Sequence, residues 1–214
     1  MNMVDEMGFI IMKLTAKKAI SMIEIAFAGF VMFFIYTFVV RQMISDMKFS
    51  DLRRSAATTY NVMESASRDI IESGGYSNRI RNEQDIVKLF AQELVVEKVC
   101  EDAKKDGCWS SNWVWSDPKL PGIKLESGQY IVPEFTSATC MSSLNIPNTC
   151  GALYIDTNGS HAPNLVGHDM IKMYITSRGL VAAGVKADIM NPAKSCDMVK
   201  KFSWGCSARL LGTK

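Results

Sequence analysis

The strongest pattern in the chain is an unbroken apolar run from Ile20 to Val40, in which Phe27, Phe30, Phe33, Phe34, Phe38, Ile25, Ile35, Val31, Val39 and Val40 leave no helical face polar. Twenty-one residues at about 1.5 Å each make roughly 31 Å of helix, which matches the roughly 30 Å of a bilayer's hydrocarbon and predicts a transmembrane segment. Glu24 is the only side chain in it expected to carry a charge at neutral pH. A carboxylate in such a place costs about 2.5–3.5 kcal/mol on insertion scales, so it calls for a cationic partner or a function. Beyond Arg41 the pattern turns amphipathic: Phe49, Leu52, Ala56, Tyr60, Met63, Ser67, Ile70 and Ile71 recur at intervals of three and four, with charged residues on the other faces. One helix of about 50 residues is predicted, stopped by Gly74 and Gly75.

A second helix is expected from an Asn82 cap, with Glu83 and Asp85 in its first turn and Ile86, Leu89, Phe90, Leu94 and Val99 on its apolar side, closing at Lys104, Lys105 and Gly107. Short β-branched or aromatic runs follow at 129–132, 151–155, 171–175 and 180–185, separated by turn residues such as Ser177-Arg178-Gly179. Helices first and antiparallel strands later predict an α+β domain. Trp109, Trp113 and Trp115 are expected in local core.

Six cysteines, Cys100, Cys108, Cys140, Cys150, Cys196 and Cys206, all follow the apolar run and fall into three close pairs. The even count suggests local disulfides and an oxidising compartment, although six cysteines formally allow fifteen connectivities. No Cys-x-x-Cys occurs and there are two histidines, so a zinc cluster is disfavoured. The formal net charge of +2 and scattered basic residues argue against a specific nucleic-acid footprint. Basic residues flank the apolar run on both sides and leave its orientation open.

The order Lys17-Lys18-Ala19, then Ile20-Ser21-Met22-Ile23-Glu24, resembles the cleavage signal of type IV pilins and of the pseudopilins of type II secretion. There a short basic leader ends in a small residue, usually glycine where Ala19 stands, and the mature chain opens with a hydrophobic residue, usually phenylalanine where Ile20 stands, with glutamate fifth. The resemblance implies a leader over 1–19 cut between Ala19 and Ile20, N-methylation of Ile20, a transmembrane and filament-core helix over 20–40, an amphipathic extension over 41–74 and an α+β head over 75–214. The implied fold is pilin-like: a long N-terminal helix, transmembrane then amphipathic, packed on a C-terminal antiparallel sheet of about four strands. The implied partners are a homo- or hetero-polymer of pilin-like subunits, a prepilin peptidase, an assembly platform with its ATPase, and the membrane. The implied location is the bacterial inner membrane as a single-pass protein with its C-terminal domain outside the cytoplasm, and then a pilus or periplasmic pseudopilus. In such a filament Glu24 of one subunit would neutralise the Ile20 ammonium of another and set the axial register.

The loop Asp156-Thr157-Asn158-Gly159-Ser160-His161-Ala162-Pro163-Asn164-Leu165-Val166-Gly167-His168-Asp169 is similar to one found between strands of many pilin-like proteins. It also mimics the start of a calcium loop, with Asp156 and Asn158 offering oxygens and Asp169 able to close the shell. Asx-turns account for the same residues without an ion and are the preferred expectation. Motifs for nucleophilic, phosphate-binding, metal or dinucleotide chemistry are missing from the sequence, so an enzyme is not expected. The alternative class is a membrane-anchored periplasmic binding or enzymatic domain that never assembles.

Overall fold

The computed structural model describes residues 22–109, 119–142, 146–188, 196 and 203–213. It divides into two compact units, Met1–Lys48 and Phe49–Lys214. In the first, helix α1 spans Met22–Phe34 and is followed by a π-helical segment, Ile35–Val40. A second α-helix, α2, spans Arg41–Glu72.

The π segment has a local cause. Thr37 turns its hydroxyl back to the carbonyls of Phe33 (2.9 Å) and Phe34 (3.2 Å), which are the acceptors that α-helical spacing assigns to the N–H groups of residues 37 and 38. Ile35 and Thr37 are β-branched and add crowding against the preceding turn. The apolar run is thereby divided. Thirteen residues of α1 make roughly 20 Å of helix, well short of a bilayer.

Among the described residues no helix is long and apolar enough to cross a membrane. This overturns the expected fold, in which one long N-terminal helix, transmembrane then amphipathic, packs on a sheet. It also overturns the expected single-pass inner-membrane location. What stands in its place is a divided helical segment, short helices and a six-stranded antiparallel sheet.

In the second unit the sheet is a meander, with strands β1 (Val96–Cys100), β2 (Gly122–Leu125), β3 (Tyr130–Phe135), β4 (Thr149–Asp156), β5 (Met170–Thr176) and β6 (Gly179–Ala182) adjacent in sequence order. Helix α3, Glu83–Glu93, is capped by Asn82, whose side chain accepts from the Asp85 N–H at 2.9 Å. It stops before Lys104 because Val95, Val96 and Val99 join an extended run that pairs with β2. The predicted helix over that stretch is therefore replaced in part by β1.

Alternation sorts the strands' side chains onto two faces. Ile123, Leu125, Ile131, Leu153, Ile155, Ile171, Met173 and Ile175 share one core with Ala56, Met63, Ala66 and Ile70 of α2 and Ile86 and Phe90 of α3. Tyr130, Val132, Ala152, Tyr154, Met170 and Tyr174 form a second core on the opposite face with Cys100, Cys108 and Trp109. A fourth helix, α4 (Cys206–Leu211), lies near β5 and β6, and Trp204 joins this second core. Cover on both faces explains why all eight residues of β4 and all seven of β5 are buried.

Candidate functional site

Ala19 and Ile20, the predicted cleavage and methylation positions, lie outside the described residues. Glu24 sits in the first turn of α1, where a carboxylate is favoured by the helix dipole, and its side chain is on an exposed surface. Around it Met22, Ile23, Ile25, Phe27, Phe30, Met32, Phe33 and Phe38 are each more than half exposed, from 61% at Ile25 to 89% at Met22. Phe30, Phe34 and Phe38 form a ladder of rings, with centroids 6.4 and 4.5 Å apart. Isolated exposed hydrophobic residues need no explanation, but a contiguous apolar surface of this kind marks a place of contact.

The cysteines join as Cys100–Cys108, Cys140–Cys150 and Cys196–Cys206, at sequence separations of 8, 10 and 10. These bonds are consistent with an oxidising, extracellular-type environment.

The β4–β5 pairing brings Asp156 and Asp169 to one end of the hairpin, where the Thr157 N–H donates to the Asp169 carbonyl at 2.9 Å. Both carboxylates are fully buried. Asp169 Oδ1 accepts from the Leu165 N–H and Oδ2 from the Asn164 N–H, each at 2.7 Å. Asp156 Oδ1 accepts from the Asn158 N–H at 3.2 Å. With its amide nitrogen turned inward, the Asn164 side chain donates to Asp156 Oδ2 at 3.1 Å and to the carbonyls of Gly159 (2.9 Å) and His161 (3.1 Å). Burial, and then the neighbouring Asp169 charge, push the Asp156 carboxyl from its ordinary 3.8 up to about 7.

Calcium takes six to eight oxygen ligands. Of the predicted set, Asp156 and Asp169 already have every carboxylate oxygen engaged by N–H donors of the chain itself. Asn158 Oδ1 is buried without a hydrogen-bond partner among the described residues, while its amide nitrogen donates to the Ala162 carbonyl. Within the predicted set one oxygen is thus left over, and the loop closes on its own hydrogen bonds, with the Asn164 amide among its donors. His161 is exposed, with Nδ1 3.0 Å from the Asn158 carbonyl oxygen, and His168 is half-buried.

A second polar cluster escaped the sequence pattern. Lys172 on β5 is 8% exposed, with Nζ 2.8 Å from Tyr154 Oη and 4.6 and 5.1 Å above the rings of Tyr154 and Tyr174. Tyr154 Oη donates to Glu134 Oε2 at 2.6 Å, and Tyr174 Oη to Asp188 Oδ1 at 3.3 Å. Burial lowers the Lys172 pKa, against the opposing pull of Glu134 and Asp188. With its ammonium hydrogen-bonded and held between two rings, Lys172 has the environment of a structural cation. The only sequence signal was a lysine flanked by apolar residues in a strand.

No family model, curated protein or solved structure matches this chain.

Proposed function

We propose that the chain is a non-enzymatic structural subunit that polymerises through its N-terminal apolar helix, of the kind found in type IV pili or type II secretion pseudopili. The observation that carries this reading is the surface of α1 and the π-helical segment after it, which presents Met22, Ile23, Phe27, Phe30, Phe33 and Phe38 to the outside on several sides at once. Such a surface is costly in water at roughly 25 cal/mol per Å², and packing against the same helix of further copies removes that cost. The order of residues from Lys17 to Glu24 supports it independently. In the proposed filament a prepilin peptidase cuts after Ala19, and the ammonium formed on Ile20 is neutralised by Glu24 of a neighbouring subunit. A buried charge with its partner out of place costs several kcal/mol, so the pairing penalises misaligned subunits. An assembly platform with its ATPase then drives polymerisation.

The test is N-terminal sequencing of protein taken from its native host, together with shear fractionation of wild type and Glu24→Ala. A mature chain beginning at Ile20, and a sheared polymer that is depleted in Glu24→Ala while its cleavage is retained, are the expected results. An uncut chain that stays monomeric in cells with active peptidase would overturn the reading in favour of a non-assembling binding or enzymatic domain.

A further inference from the structure

We infer that the side-chain amide of Asn164 takes the place that a cation would hold in the 156–169 loop, so that the loop is locked without an ion. Three oxygens from separate residues, Asp156 Oδ2, the Gly159 carbonyl and the His161 carbonyl, converge on one atom of Asn164 at 2.9–3.1 Å. Convergence of a carboxylate and two backbone carbonyls is the arrangement that a hard cation gathers. The hydrogen-bonding surroundings assign the atom at the focus as the amide nitrogen, with two hydrogens. The opposite orientation of the amide would set its carbonyl oxygen against three acceptors.

Asn164 is held at its other end as well. Its backbone N–H donates to Asp169 Oδ2 at 2.7 Å, so this one residue spans the two buried carboxylates. Its φ of 48° lies in the left-handed region, which asparagine tolerates better than most residues. Position 164 therefore combines backbone shape and donor placement that few other side chains offer. The neutral amide supplies partial positive charge to Asp156, and two backbone N–H groups do the same for Asp169. This lock lies within the second unit and is independent of whether the chain polymerises.

The experiment uses the full-length chain in detergent and follows thermal unfolding with EDTA or with millimolar calcium chloride. The wild-type midpoint is expected to be the same in both. Asn164→Asp replaces the nitrogen by a charged oxygen, so its midpoint is expected to fall by roughly 5 °C or more in EDTA and to be regained with calcium. A wild-type midpoint raised by calcium, or an Asn164→Asp protein indifferent to it, overturns the inference. Should Asn164→Asp not fold, hydrogen exchange of the wild-type Asn164 side-chain amide decides: protection in EDTA supports the lock, and protection that requires calcium overturns it.

Discussion

Lys172 donates to Tyr154 over 2.8 Å, and the Tyr154 hydroxyl passes its own hydrogen to Glu134 at 2.6 Å, so a buried ammonium reaches a part-exposed carboxylate through a phenol. Removing the middle member leaves the ammonium with Glu134 at 3.7 Å as its nearest carboxylate. Tyr154→Phe is therefore expected to destabilise the second unit by about 2 kcal/mol. Lys172→Met keeps the length and removes the charge, and is expected to cost less, under about 1 kcal/mol. Urea unfolding of the two variants measures the order, and a Lys172→Met protein less stable than Tyr154→Phe contradicts it.

Asp156 makes the stability depend on pH in an unusual direction. Its folded-state pKa of about 7 lies above the ordinary 3.8, so between those values the folded state holds more proton than the unfolded state. Its contribution is complete below about pH 4, declines as the pH rises to about 7 and is flat beyond, over a range of at most about 4 kcal/mol. Denaturant unfolding across that window is expected to show this downward slope in wild type and a flatter profile in Asp156→Asn.

The Cys140–Cys150 bond joins two fully buried residues of the main core. Closing a loop of 10 residues is worth roughly 3 kcal/mol in the chain-entropy model. Replacing both cysteines by alanine is expected to cost about that much, read as a lower urea midpoint. An unchanged midpoint would place the bond's effect elsewhere.

Gly151 has no room for a side chain. A Cβ there would land on the Glu134 carbonyl oxygen of the adjacent strand and lie 3.3 Å from Ile86 Cδ1 of α3. Gly151→Ala is expected to destabilise by about 1–3 kcal/mol, with the loss visible as faster amide exchange across β3 and β4.

Local signals are legible in the sequence where neighbours in the chain decide the outcome. Asn82 caps α3, Gly74 and Gly75 follow the end of α2 with positive φ, and the runs at 129–132, 151–155 and 171–175 lie within or overlap β3, β4 and β5. The strand β1 is hidden because Leu94, four residues after Phe90, continues the helical spacing of α3 up to the start of the strand. The division of the apolar run was hidden too, since it depends on where one hydroxyl, that of Thr37, finds its acceptors. The proximity of Asp156 and Asp169 follows from hairpin pairing, but the part played by Asn164 requires coordinates. Lys172 was illegible for a different reason. Its cover includes Ser207, whose hydroxyl accepts the Lys172 N–H at 2.9 Å from 35 positions away, and nothing local announces that.

Sequential strand order has a consequence for biosynthesis. Every strand pairs with the one made just before it, and each disulfide partner follows within ten residues. A chain threading out of a narrow exit can thus zip its sheet as it emerges, with little loop-closure entropy to overcome at each step. An oxidant that bonds cysteines in order of arrival would produce the native pattern without help from an isomerase.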